Sequence, residues 1–322
     1  MDARMSTQRT TAAGERILLR RRAAKWRLRS RTLALGARTL VMGVVNITPD
    51  SFSDGGMYVL PDAAVAHALM LLDQGADIVD LGAESTRPGS QAGGTAPAVS
   101  AEEEQARLLP VVEGVLRAQP DAIISVDTYK AATARAALKA GAEIVNDVSG
   151  LGWDAETGAA CAELGAGVVL MHTRGRPEEW STQHRLAPQP LMKLVRNGLG
   201  KSIKAATSAG ITREAIVIDP GYGFGKRFGE NYALLARQEE LLSLGRPLLA
   251  GLSRKSFLGH TLARLAGGDA EGTVPVEARE NASLAAITAA ILHGASIVRV
   301  HAVRPAVEAA HIADAILDAG KS

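Results

Sequence analysis

The chain has 322 residues, 47% of them hydrophobic and only 3% aromatic, with 33 glycines and a formal net charge of +2. That length suits one large α/β domain or two small ones, with a core built from Val, Ile, Leu and Ala. The single cysteine, Cys161, excludes an internal disulfide framework and suits a reducing cytoplasm, and no apolar run reaches the roughly 20 residues of a membrane span.

The small net charge hides an asymmetry. Residues 1–38 hold eleven Lys/Arg against two Asp/Glu, which leaves 25 basic and 32 acidic residues, a net charge of −7, for the remainder. The stretch "RILLRRRAAKWRLRSR" has a composition that binds nucleic acid or an anionic membrane surface, and its Arg-rich, acid-poor character also suits a transit peptide. The simpler reading is a solvated extension. We therefore expect a basic, disordered extension over residues 1–31, a short hairpin within "RTLALGARTL", and a single folded domain over 32–322. Neither nucleic acid nor membrane is an expected partner of that domain.

One phrase then recurs along the chain: "GADIVDLG" at Gly75, "GAEIVNDVSG" at Gly141, "GAGVVLMH" at Gly165 and "GASIVRVH" at Gly294. Gly ends a helix without a Cβ penalty, and the β-branched run behind it reads as a strand buried on both faces of a parallel sheet. Extending the pattern predicts strands near 41–45, 77–82, 123–126, 143–147, 167–171, 215–218, 247–250 and 296–300. Helical patterns fall between them, among others at 62–74, 101–118, 130–140, 277–293 and 305–318. Eight alternations predict a (β/α)8 TIM barrel, with a doubly wound open sheet as the alternative. "GYGFG" at 221–225 lacks the spacing of a dinucleotide fingerprint.

In a barrel, functional groups gather at the carboxyl ends of the strands. Polar residues stand at almost every predicted end: Asn46, Asp80, Asp127, Asn146 with Asp147, His172 after Met171, Asp219, the "SRKS" run Ser253–Ser256, and Arg299 with His301. The cations Arg87, Lys255 and Arg299, with small hydroxyls nearby, suit a phosphate or diphosphate. Asp127, Asn146 and Asp219 suit a flat heterocycle rich in N–H and C=O groups. Together they predict a polar heterocycle carrying a diphosphate. Asn46 supplies an oxygen for Mg²⁺, which takes one or two protein oxygens alongside phosphate and water, and no His/Cys set has zinc spacing. Cys161 reads as a packed thiol, while His172 remains open between packing and function. No Ser-His-Asp arrangement is evident.

The blocks "VMGVVNITPDSFSDGG", "DLGAESTRPGS", "SVDTYK", "IVNDVSGL", "LMH", "IDPGYGFGK", "GLSRKSFLG" and "ENASLAAITAAILHGASIVRVH" stand in one order over residues 39–320. In that order they resemble the dihydropteroate synthase family. The resemblance implies a transferase that joins p-aminobenzoate to 6-hydroxymethyl-7,8-dihydropterin diphosphate. It releases diphosphate and 7,8-dihydropteroate through an SN1-like, Mg²⁺-assisted step of folate synthesis, with sulfonamides as competitors and a homodimer as the expected assembly. Carried over by motif, Asp127, Asn146, Asp219 and Lys255 hold the pterin, Asp80 lies beneath it, and Met171 and Phe224 line it. Thr86, Arg87, Arg299 and His301 grip the diphosphate, and Asn46 contacts its Mg²⁺. Pro88, Phe224, Ser253 and Lys255 form the aminobenzoate site. Asp50 stabilises the pterin cation from a mobile loop over Thr48–Gly56, with a second such loop over Pro88–Thr95.

The chain departs from the family pattern at four places: Ala302 follows "RVH" where Asp is usual, Ala83 replaces a usual Gly, and Thr173 and Arg176 are substituted. Ala302 removes a possible carboxylate partner of Arg299 or His301. Two other readings remain at this point. One is a methyltetrahydrofolate-dependent corrinoid methyltransferase, which needs no diphosphate grip; the other is a pterin-binding paralogue without turnover, whose only support is Ala302.

Overall fold

A computed structural model of the chain describes residues 24–47, 60–86, 92, 99–265, 267 and 272–320. Ten strands and nine α-helices are assigned among them. The chain opens with a hairpin, β1 (Ala24–Arg27) against β2 (Thr32–Leu35), in antiparallel register with Trp26 opposite Leu33. Eight parallel strands follow: β3 (Leu40–Asn46), β4 (Ile78–Gly82), β5 (Ile124–Asp127), β6 (Ile144–Asp147), β7 (Gly167–Met171), β8 (Ile216–Asp219), β9 (Leu248–Ala250) and β10 (Ala295–Val300). They close into a barrel, β10 pairing with both β9 and β3. The open-sheet alternative is thereby excluded.

Helices α1 (Leu60–Asp73), α2 (Ala101–Ala118), α3 (Ala131–Ala140), α4 (Thr157–Leu164), α5 (Pro188–Ser208), α6 (Phe228–Leu235), α7 (Ser256–Leu265), α8 (Glu280–Leu292) and α9 (Val303–Ala319) surround it. The four glycines of the recurring phrase, Gly75, Gly141, Gly165 and Gly294, all take positive φ, at 100°, 116°, 68° and 94°. Each therefore performs the helix-to-strand turn for which only Gly is unstrained. Helix α2 starts on a reciprocal cap, Ser100 Oγ accepting from Glu103 N while the Glu103 carboxylate accepts from Ser100 N.

Strand periodicity divides the core in two. Val41, Val79, Ile124, Val126, Val145, Val168, Ile218, Leu248 and Val298 face outward and pack with the helices. Met42, Ile78, Ile144, Val169, Val217, Leu249 and Ile297 face inward and meet Trp26, Leu28 and Leu35 from the hairpin. The hairpin thus plugs the amino-terminal end of the barrel. It begins at Ala24, inside the stretch expected to be a disordered basic extension, and the strands lie one pairing earlier than "RTLALGARTL" suggested. The reason is burial: Trp26 is 0% exposed and its indole N–H donates to the Ala215 carbonyl at 2.9 Å. Arg29 donates to the Ala142 carbonyl, and Ser30 N to the Glu143 carboxylate. Of the earlier segment, residues 1–23 lie outside the described residues.

Replacing Trp26 by Ala removes the largest side chain of this plug and one buried hydrogen bond. Stability is expected to fall by about 3–5 kcal/mol, read as a lower urea midpoint, with the far-UV circular dichroism of the folded state retained.

Candidate active site

The inward face changes character one step up the barrel. Two residues beyond the apolar layer, the same faces carry Asp80 on β4, Asn146 on β6, Met171 on β7, Asp219 on β8, Gly251 after β9 and Arg299 on β10. On β5, where Ile124 points outward, Ser125 and Asp127 occupy the inward positions. The strand registers then set these groups beside each other, Asp80 opposite Ser125, Asp127 opposite Asn146 and Met171 opposite Asp219.

Arg299 forms the centre of the cluster. Its Nε donates to Asp80 Oδ2 at 2.6 Å and its Nη2 to Asp127 Oδ2 at 2.7 Å. Asn146 Nδ2 donates to the same Asp80 oxygen at 3.1 Å. Asp80 is fully buried, and its Oδ1 has no partner among the described residues. Asp219 Oδ1 accepts from Gly221 N at 2.7 Å, and a Cβ on Gly251 would stand 3.7 Å from Asp219 Oδ2. A side chain at 251 would therefore fill the space in front of that second oxygen. Burial raises the pKa of Asp127 and of Asp219; Arg299 opposes the rise at Asp127, and the Gly221 N–H with Lys255 opposes it at Asp219.

Lys255 reaches the cluster from the loop after β9, and Ser253 from the same turn. The Lys255 ammonium lies 3.9 Å from the centroid of the Phe224 ring, a cation–π arrangement. Trp180 packs edge-on with that ring, with centroids 5.1 Å apart. Burial, together with the charge of Arg299, brings Lys255 down to about 8, against the pull of Asp219 and Asp127. Ser253 Oγ lies 3.0 Å from His301 Nδ1 and accepts from His301 N. Met171 and Phe224 share an apolar wall with Tyr129, Val148 and Trp153.

Asp80, Asp127, Asn146, Met171, Asp219, Phe224, Ser253, Lys255, Arg299 and His301 thus converge on the carboxyl end of the barrel. Asn46 is exposed at the end of β3, next to Gly82 in register, and Thr86 lies four residues past β4, half-buried. Neither bonds to the cluster among the described residues. Asp50, Arg87 and Pro88 lie outside the described residues, as do both expected loops except Ala92, which is buried beside Tyr129, Val148 and Met171. His172 resolves as a packed ring: it is 7% exposed, burial drives its pKa well down, and a Cβ on Gly198 of α5 would meet it at 2.5 Å. Cys161 is buried and its thiol is pushed up to about 12 by that burial, as expected of packing.

One supporting residue escaped the sequence reading. Lys226 is 5% exposed and its ammonium donates to the carbonyls of His172, Gly221 and Phe224 at 2.8, 2.7 and 3.2 Å. It stitches the "GYGFG" turn to β7 and so fixes the ring on which Lys255 rests. Its signal was a lysine closing a Gly-rich strand-end turn.

The arrangement offers inward acceptors for N–H groups, a flat apolar wall and two cations beside a third carboxylate, in the mouth of a parallel barrel. The chain belongs to the pterin-binding enzyme family, whose pattern matches residues 42–301. It is 40% identical over 288 residues to the dihydropteroate synthase of Bacillus subtilis (strain 168), covering 89% of this chain and 92% of the relative. Among solved structures, the Xanthomonas albilineans dihydropteroate synthase with 4-aminobenzoic acid superposes at a TM-score of 0.79 and 40% identity, over 92% of this chain and 98% of that one. The Yersinia pestis dihydropteroate synthase in a sulfonamide drug complex gives a TM-score of 0.80 at 39% identity, over 91% and 99%.

The depressed pKa of Lys255 carries a stability cost. The folded chain holds fewer protons than the unfolded one between pH 8 and 10.5, so the cost is complete below pH 8 and fades as pH rises through that window. Lys255→Met is expected to stabilise the fold by about 1–3 kcal/mol at pH 7, with the gain gone at pH 10.5, read from paired denaturant titrations.

Proposed function

We propose that the chain condenses 6-hydroxymethyl-7,8-dihydropterin diphosphate with p-aminobenzoate to give 7,8-dihydropteroate and diphosphate, a transferase step of folate synthesis. The observation that carries this is the joining of Asp127, Asn146 and Asp219 to Lys255 and Arg299 in one barrel mouth. The names of the relatives and the 4-aminobenzoic acid bound by one of them support it.

Asp127 and Asp219 accept from the amino-pyrimidine N–H groups, Asn146 supplies both a donor and an acceptor, and Lys255 donates to a ring acceptor. Met171 and Phe224 flank the ring plane, with Asp80 beneath, holding Arg299 and Asn146. Thr86, Arg87, Arg299 and His301 take the diphosphate. Arg299 keeps Nη1 available for it, because Nε and Nη2 are committed to carboxylates. The exocyclic C–O bond breaks with its electron pair leaving on diphosphate, and the ring nitrogens share the positive charge left on the methylene carbon. The Asp127 and Asp219 carboxylates, with Asp50, supply the negative charge that stabilises this cation. The p-aminobenzoate amine, placed by Pro88, Phe224, Ser253 and Lys255, then attacks the carbon and loses a proton to solvent.

Among the described residues no group of three or more His, Cys, Asp or Glu is placed to hold a metal. Asn46 supplies one neutral, exposed oxygen, a donor set that fits Mg²⁺ carried mainly by phosphate oxygens and water. When bound, Mg²⁺ spreads the charge of the departing diphosphate. Sulfonamides, found in the Yersinia pestis complex, are expected competitors of p-aminobenzoate. A homodimer and a cytoplasmic location complete the reading; no described helix is long and apolar enough to cross a membrane.

Incubation with Mg²⁺, the dihydropterin diphosphate and labelled p-aminobenzoate is expected to yield labelled dihydropteroate, and EDTA to abolish it. Failure to form product despite measurable pterin binding would overturn the catalytic reading. Asp219→Asn is expected to weaken pterin diphosphate binding at least about tenfold with the fold retained, since a hydrogen bond to a charged group contributes about 1.5–3 kcal/mol; calorimetric titration with unchanged affinity would remove Asp219 from the pocket.

A further inference from the structure

The turn that delivers Ser253 and Lys255 is strained. Lys255 N donates to the Leu252 carbonyl at 3.4 Å, closing a four-residue turn whose third residue, Arg254, has φ +60°. That region suits Gly or Asn and penalises a long side chain. Among the described residues only Leu151 shares this condition outside glycine. Strained backbone persists where its surroundings over-determine it.

Here the surroundings are the start of α8. Arg254 N donates to Ser283 Oγ at 2.9 Å, and Ser283 Oγ donates in turn to the Arg279 carbonyl at 2.8 Å. The Arg254 carbonyl accepts from Arg279 Nη1 at 3.0 Å. Both main-chain polar groups of the strained residue are therefore held by side chains one helical turn apart. Arg279 is 8% exposed, and its remaining bonds go to the Val274 carbonyl, from Nε at 3.0 Å and Nη2 at 2.7 Å, and to Thr273 Oγ1. It makes no ion pair among the described residues, so the guanidinium works by the shape of its donor fork rather than by charge compensation. Gly259 of α7 leaves the room: a Cβ there would stand 2.6 Å from Arg279 Nε.

We infer that Arg279 and Ser283 are positioning residues, which clamp Arg254 in the left-handed conformation and thereby aim Ser253 and Lys255 into the barrel mouth. The inference rests on the proposed function for its kinetic consequence, but the clamp itself does not. Lys255 sits among Arg299, Asp219, Asp127 and the Phe224 ring, so any swing of the turn changes its surroundings and its titration. The clamp touches none of the reacting groups.

The test uses Arg279→Lys, which keeps the charge and loses the fork, and the milder Ser283→Ala, each with and without Arg254→Gly. Glycine adopts the left-handed turn unaided and should make the clamp dispensable. With ¹³Cε-labelled lysine, the Lys255 signal, identified by its loss in Lys255→Arg, is expected to titrate near pH 8 in the parent. It should move toward the ordinary lysine range in both clamp variants and return when Arg254→Gly is added to either. In parallel, kcat/KM is expected to fall about tenfold to a hundredfold on loss of the clamp, as small misplacements at a reacting centre do, and by about threefold or less when Arg254→Gly is present. Unaltered Lys255 titration in folded Ser283→Ala and Arg279→Lys, or the same loss in both backgrounds, would overturn the clamp. Absence of turnover in the parent would instead overturn the proposed reaction, while the lysine signal still decides the clamp.

Discussion

The structure depends on one constraint: in eight parallel strands, the residue two positions beyond a barrel-filling hydrophobe also faces inward. Ile78, Ile144, Val217 and Ile297 fill the lower barrel with hydrocarbon; Asp80, Asn146, Asp219 and Arg299 are the next inward positions on the same strands. A slip of one residue in β4, β8 or β10 would exchange the polar group for a Val, Leu or Ile and place a charge among the helices. Fold and site are therefore specified by the same hydrophobic pattern. The outward positions anchor each strand against α-helices, and this anchoring holds the polar layer in place.

Burial of so many charges is tolerated because they are mutually satisfied. Arg299 bridges Asp80 and Asp127, Asn146 donates to Asp80, and the Gly221 N–H covers one oxygen of Asp219. The compensation is incomplete. Asp80 Oδ1 has no partner among the described residues, and Asp127 and Asp219 are both raised by burial while Lys255 is lowered by it. Each of these shifts runs against the charged state, so the polar mouth is held at a cost that a polar ligand offsets. The apolar end closed by Trp26 and the polar end thus divide the barrel into a half that stabilises and a half that binds.

What was legible in the sequence followed from periodicity and from main-chain geometry. The glycines at 75, 141, 165 and 294 marked the joints because left-handed φ is a demand on residue type. Strand-end polar groups were legible because they interrupt apolar runs. The hairpin was placed too late because Trp26 and Leu28 are set among arginines, and charge composition masked the burial of two apolar positions. Arg279 and Ser283 were unreadable for another reason. Their partners are chiefly main-chain carbonyls and N–H groups, which exist at every residue and leave no pattern in the sequence.

Ala302 shows where a motif comparison and a physical one part. Its reading as a lost carboxylate was the sole sequence feature favouring a silent pterin-binding protein. Arg299 takes its carboxylates from Asp80 on β4 and Asp127 on β5, and His301 is met by Ser253 from the turn after β9. Residue 302 stands instead at the cap position of α9, where Ala makes no side-chain hydrogen bond. The change removes a helix cap, a matter of about 0.5–2 kcal/mol of stability, from a position outside the charge network. The partners of Arg299 and His301 therefore do not depend on a carboxylate at 302, and the support that Ala302 gave to a protein that binds without reacting falls away.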